Sequence, residues 1–246
     1  MMCLRGSAVG LRAHEIGICS SHAPAAISEN RWLRVGNAGG TTAVDLICLD
    51  LEGVLVPEIW IAVAEHTGID DLRATTRDIP DYSQLMDQRL AVLDRHRLRI
   101  ADIQHVIAAL SPLPGAAAFL DTLRSRCPVV ILSDTFYDFA NPLMRQLDWP
   151  TLFCHRLVVD VGGRIVGYRL RMTDHKRAAV EAFRTLQFRV VAAGDSFNDI
   201  SMLSAADAGI LFRAPDHIAR DFPQFPAVTD YDALAAAIGD ARREAA

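Results

Sequence analysis

The chain has 246 residues, 51% of them apolar, and a formal net charge of −5. That is enough apolar material for one large core, and it excludes disorder for most of the chain. No Lys/Arg run offsets the acidity, which excludes binding driven by neutralising the phosphates of a nucleic acid and leaves small molecules or proteins as partners.

Residues 1–43, beginning "MMCLRGSAVG", carry arginines but no uninterrupted apolar block of the kind a secretory signal needs. An Arg/Ser-containing stretch with few acids fits a transit peptide. A disordered extension or translation from an upstream start fits better, because ordered periodicity begins only near Val44. The five cysteines, Cys3, Cys19, Cys48, Cys127 and Cys154, are odd in number and show no CxxC spacing. This reads as a reducing, cytoplasmic setting without disulfides or zinc. No run of about 18 apolar residues is present, so no membrane helix is expected.

From Val44 strands and helices alternate. "VDLICLD" is a near-continuous apolar run, read as a buried parallel strand, and "PEIWIAVAEHTG" as a helix opened by Pro57 and ended before Gly68. Residues 57–112 contain no other strand-like segment. Met86, Leu90 and Leu93 fall at helical spacing, as do Ile103, Val106, Ile107 and Leu110, so the segment is expected to be a helical insertion, closed by the turn-rich "SPLPG". Next come a helix over 116–126, the strand "PVVILS", a helix over "PLMRQL", and the strands "LFCHRLVVD" and "IVGYRLR" joined by the hairpin turn "VGGR". A helix over 175–187, the strand "RVVAAGD", a helix over "NDISMLSAAD", the strand "GILF", a short helical piece, the strand "AVT" and a C-terminal helix complete the chain. The expectation is an α/β fold, a doubly wound parallel sheet with a core of 44–56 and 113–246 and a helical cap of 57–112.

In such sheets ligands bind at the carboxyl ends of strands, near the point where strand order reverses. Asp50, Ser133 and Asp195 each close a strand, and Asn198 and Asp199 lie about one helical turn beyond Asp195. Carboxylates converging in one crevice repel unless a divalent cation neutralises them, and oxygen-only ligation suits Mg²⁺. A carboxylate on a rigid strand end, here Asp50, is also a nucleophile toward phosphorus. Charge on the transferring phosphoryl group then needs Mg²⁺, a lysine and hydroxyl donors, and Lys176 and Ser133 have the right chemistry. Glu52 points to the same side of an extended chain as Asp50. It is suited to protonating a departing alkoxide and then deprotonating the attacking water.

These residues resemble the haloacid-dehalogenase-like phosphatases, whose motifs run DxDG, Ser/Thr, Lys and GDxxxD. The matching positions are Asp50 to Gly53, Ser133, Lys176 and Gly194 to Asp199, with Asp199 in a supporting place. Glu52 departs from the usual Asp. Together with "CLDLEGVLVPEIWIA", "TTRDIPDY", "ILSDTFYDF", "AAGDSFND" and "FPQFPAV", it is similar to a branch of that family that uses an Asp-x-Glu motif and acts on phosphoserine. The resemblance implies Mg²⁺ held by Asp50, the backbone carbonyl of Glu52, and Asp195. It implies substrate contacts from Glu58, Arg89, Ser133, Asp134, Lys176 and Asn198, phosphoryl transfer to homoserine beside hydrolysis, and a homodimer. Phosphoserine carries an ammonium and a carboxylate besides its phosphate. Glu58 is placed to pair with the first, and Arg89, in the cap, with the second.

Blander readings stand beside these. Asp50 and Glu52 alone would pass for a solvated strand end, Lys176 for an exposed helix lysine and Ser133 for a turn cap. Arg89 competes with Arg77, Arg95 and Arg97 in the same insertion. The histidines show neither HxxxH nor HExxH spacing and are assigned no metal. A phosphatase for another small phosphomonoester, or a non-catalytic regulatory domain with a residual phosphate site, are the rival functions.

Overall fold

The structure, a computed structural model, describes residues 44–76, 78, 79 and 81–243. The expectations for residues 1–43, with Cys3 and Cys19, and the alternative Arg77 lie outside the described residues.

The apolar run after residue 43 forms β1 (Val44–Leu49), and its side chains alternate between two cores. Ile47 and Leu49 enter one apolar cluster, and Leu46 and Cys48 the other. β2 (Val129–Phe136) and β5 (Phe188–Gly194) repeat this division, with Val129, Ile131, Val191 and Ala193 on one face and Val130, Leu132, Val190 and Ala192 on the other. A strand buried on both faces reads as a continuous apolar run, which is why these three were legible.

The sheet has the order β4-β3-β2-β1-β5-β6-β7, with β3 at Thr151–Val159, β4 at Ile165–Arg169, β6 at Ala208–Phe212 and β7 at Ala227–Val228. All neighbouring strands pair in parallel except β4, which folds back on β3 through the expected hairpin. From β1 the chain first builds outward through β2, β3 and β4, then returns to β1's other edge with β5. The switch point therefore lies between β1 and β5, and Asp50 and Asp195 follow those two strands.

The helices α4 (Ala116–Arg124), α5 (Tyr137–Gln146) and α9 (Tyr231–Arg243) cover the first face, and α6 (His175–Thr185), α7 (Ile200–Ala205) and α8 (Asp216–Asp221) the second. Residues 57–112 fold as α1 (Ile59–Thr67), α2 (Tyr82–Arg95) and α3 (Ile100–Ala108), with a short 3₁₀ turn at Asp70–Arg73. Gly68 ends α1 in the left-handed conformation (φ 68°), its N–H donating to Ala64 O. These helices place Trp60, Met86, Val92 and Ile103 in the same apolar cluster as the sheet's first face.

α5 begins five residues earlier than the sequence signals, and Pro142 sits inside it. A proline cannot donate to the carbonyl four residues back, so Asp138 O loses its helical partner. Gln104 Nε2 of α3 donates to that oxygen at 2.9 Å, so the insertion supplies the missing bond. The expected helix over 198–207 is instead a 3₁₀ turn, Phe197–Asp199, followed by α7.

Candidate active site

After β1 the chain folds tightly on itself: Gly53 N donates to Val56 O at 2.8 Å, and Leu55 N and Val56 N to Leu51 O. Leu51, Val54, Leu55 and Val56 are fully buried, which makes the loop carrying Asp50 and Glu52 rigid. Gly53 has φ 75°, and a Cβ there would lie 2.4 Å from Asp195 Oδ2. Only glycine meets both demands. At Gly194 a Cβ would fall 2.3 Å from Asp199 Cγ, so backbone packs against carboxylate within this second motif as it does between the two at Gly53.

Lys176, only 2% exposed, joins the motifs. Its Nζ lies 2.9 Å from Asp50 Oδ1, 2.7 Å from Asp199 Oδ1 and 3.5 Å from Asp134 Oδ2. Burial alone would favour the neutral amine, but Asp199, Asp50 and Asp134 outweigh it and hold the ammonium well above the usual lysine range. Asp199 is wholly buried and spends its other oxygen on the backbone N–H groups of Asp195 (3.0 Å) and Ser196 (3.1 Å). It orders the loop.

Asp50, Asp195 and Asp199 present oxygens within 4.8 Å of one another. Burial, then the neighbouring Asp199, pushes Asp50 well above the ordinary carboxylate range and Asp195 up to about 7. One ammonium does not balance three buried carboxylates. This all-oxygen donor set fits a hard divalent cation, with Asp50 and Asp195 free to ligate because Lys176 and two backbone N–H groups occupy Asp199.

Glu52 lies beside Asp50, its Oε2 accepting Ile59 N at 2.8 Å at the start of α1. Burial and the nearby Glu58 raise its carboxyl to about 7. Ser133 is 2% exposed, and its Oγ accepts Thr135 N at 3.3 Å. β2 does not stop at Ser133 as the sequence implied but runs to Phe136, with an irregular register between Leu132 and Phe136.

One cavity is lined by Asp50, Glu52, Glu58, Arg89, Ser133, Asp134, Lys176, Asp195 and Asn198, so every expected site residue except Asp199, just behind it, faces the same space. The structure also separates Arg89 from its competitors. Arg95 and Arg97 are exposed, whereas Arg89 is 7% exposed. Its guanidinium carbon sits 4.5 Å over the Trp60 ring, its Nη2 donates to Ala74 O at 2.9 Å, and its Nε is buried without a partner. Burial lowers its pKa to about 10. A planar cation held this way is suited to an anionic group of a ligand.

Sequence reasoning missed Trp60, Thr75, Thr76 and Tyr82, which also line the cavity. Tyr82 Oη donates to Asp134 O at 3.0 Å, tying α2 to β2. It missed His155 and His175 as well. They lie twenty residues apart and carry no spacing signal, yet both reach Asp134 Oδ1, at 3.4 and 3.1 Å.

A site of carboxylates at the switch point, bridged by one lysine, is a phosphoryl-transfer site in kind. Residues 44–207 match the family model described as haloacid dehalogenase-like hydrolase. The chain belongs to that family. It is 64% identical over 198 residues to the phosphoserine phosphatase of Pseudomonas syringae pv. tomato, covering 80% of this chain and 84% of that protein. It is also 64% identical over 191 residues to the phosphoserine phosphatase ThrH of Pseudomonas aeruginosa, covering 78% of this chain and 93% of that protein. A solved phospho-aspartyl intermediate analogue of phosphoserine phosphatase superposes with a TM-score of 0.64 at 22% identity, covering 76% of this chain and 94% of that one, and shares its fold. No helix among the described residues is long and apolar enough to cross a membrane.

Proposed function

We infer that the chain is a Mg²⁺-dependent phosphoserine phosphatase working through an aspartyl phosphate, which also passes the phosphoryl group to homoserine when that hydroxyl takes the place of water. The observation that carries this reading is Lys176. It engages Asp50 Oδ1 and leaves Oδ2 for attack, in a cavity whose other walls hold an acid, Glu58, and a buried arginine, Arg89.

In this mechanism Asp50 Oδ2 attacks phosphorus and the bond from phosphorus to the serine oxygen breaks. The departing alkoxide takes its proton from Glu52. Glu52, now ionised, removes a proton from water or from the homoserine hydroxyl, whose oxygen attacks phosphorus and restores the Asp50 carboxylate. Lys176 and the Ser133 hydroxyl compensate the charge on the phosphoryl oxygens, Arg89 binds the amino acid's carboxylate and Glu58 its ammonium. Asp50, Asp195 and the Glu52 backbone carbonyl would hold the cation, which when bound neutralises phosphoryl charge and keeps the two aspartates ionised. Phosphoserine and homoserine present the same ammonium and carboxylate, so one pocket serves donor and acceptor. Residues 57–112, as a cap, exclude bulk water.

Phosphate release from phospho-L-serine with Mg²⁺, measured with and without L-homoserine, tests this reading. Release is expected to fall as phosphohomoserine appears. No turnover of phosphoserine would remove Arg89 and Glu58 as amino-acid ligands while leaving the phosphoryl site in place.

The raised carboxyls give a second expectation. Glu52, ordinarily near 4.5, titrates at about 7 in the folded chain, as does Asp195. The folded state thus binds more protons between those values, and the metal-free protein loses stability as pH rises through that window. Mg²⁺ competes with the protons on its ligands Asp195 and Asp50, both raised, so its addition should raise the melting temperature by several degrees near about pH 8 and much less near about pH 5.5. An equal rise at both pH values would place the cation away from these carboxylates.

A further inference from the structure

The Asp134 side chain is fully engaged by protein groups. Oδ1 faces His155 Nε2 and His175 Nε2, and Oδ2 accepts Asn198 Nδ2 at 2.7 Å and lies 3.5 Å from Lys176 Nζ. The His155 ring is 2% exposed and packs against His175, Tyr82 and Phe136. Its Nδ1 accepts the backbone N–H of Arg171 at 3.2 Å, which leaves the ring hydrogen on Nε2, aimed at Asp134. The three groups lie close enough to hold a cation. The tautomer excludes that use, because a protonated Nε2 donates and does not ligate.

A carboxylate only accepts, so Asn198 must turn its amide nitrogen to Asp134, which leaves its oxygen against Ser196 Oγ. Lys176 has three N–H groups and three carboxylates around it, Asp134 being the third. Both Asn198 and Lys176 line the reaction cavity.

We propose that His155 and His175 are positioning residues for phosphoryl transfer: by holding one oxygen of Asp134 they fix the other, and with it the orientation of Asn198 and Lys176 beside Asp50. This rests on the phosphatase reading of the site, and it assigns Asp134 the orienting of phosphoryl-site groups through its carboxylate. Burial lowers the pKa of His175, in keeping with a neutral ring that has one hydrogen to give.

The test measures kcat and KM of the Mg²⁺-loaded protein for phosphoserine and for p-nitrophenyl phosphate. His155→Leu, which keeps bulk and removes the donor, should lower kcat about 10- to 100-fold with little change in KM. His155→Gln, which keeps an N–H near the Nε2 position, should recover most of that loss. Asp134→Asn is close to isosteric and offers one acceptor oxygen in place of two, so it should show the same loss. In that background His155→Leu should cost nothing further. Losses that multiply, a Gln variant as impaired as the Leu variant, or a loss carried by KM alone would each overturn the proposal. If His155→Leu does not fold, Asp134→Asn decides: wild-type kcat in that variant overturns it. Wild-type protein that turns over p-nitrophenyl phosphate but not phosphoserine would overturn only the substrate assignment, since the variant ratios are read on either ester.

Discussion

Asp50→Asn should reduce phosphate release from phosphoserine to background, a loss of about four orders of magnitude or more, while the protein still melts as a folded domain. The amide has the carboxylate's shape but cannot form the acyl phosphate. Asp50 is buried, 4% exposed, and its ionised form is opposed by burial and by Asp199 and Asp195. A neutral residue removes that repulsion. Lys176 loses one charged partner, can still donate to the amide oxygen, and keeps Asp199 and Asp134. The expected melting temperature is therefore within a few degrees of the parent's, which separates lost chemistry from lost fold. Hydrolysis retained above about one hundredth of the parent rate would place the nucleophile elsewhere.

Glu52→Gln should separate the two halves of the reaction. Near neutral pH a carboxyl titrating at about 7 exists in both forms, as a group that is first an acid and then a base requires. A serine alkoxide leaves poorly without a proton, so phosphoserine turnover should fall about 10²- to 10³-fold. A nitrophenolate leaves without one. p-Nitrophenyl phosphate should therefore give a near-normal burst of nitrophenol, equal to the enzyme present, followed by slow steady-state release as water attacks without a base. Glu52 also accepts Ile59 N, and glutamine's carbonyl oxygen can keep that bond, so α1 should stay in place. A nitrophenol burst slowed as much as phosphoserine turnover would assign Glu52 a structural role instead.

The sequence carried the strands because a strand buried between two layers is apolar at every position, and β1, β2 and β5 are such strands. It carried the acidic frame of the cavity for a related reason. The acids at the ends of those strands interrupt apolar runs, and the switch point of a doubly wound sheet is where such interruptions converge. The first helix of the insertion was legible from Pro57 and Gly68, and the hairpin from its two glycines. The start of α5 was not, because Pro142 reads as a helix opening and becomes tolerable inside one only when Gln104, from another helix, bonds the carbonyl it frees. Nor was the choice of Arg89. Its burial and its stacking on Trp60 depend on α1 and α2 packing together, and spacing along one helix does not encode that.

Taken by itself, then, the sequence determined which residue types stand at which strand ends, and that those types suit phosphoryl transfer; the β1–β5 junction came from the strand order. Only the tertiary structure decided how those residues are partnered. Lys176 and Asp50 are 126 positions apart, and Asn198 and Asp134 are 64 apart. His155 and His175 come from a strand and a helix start with no shared periodicity. Local propensity and periodicity report on a residue's own element. Hydrogen bonds and ion pairs across such separations form only once the sheet has brought its strand ends to one edge.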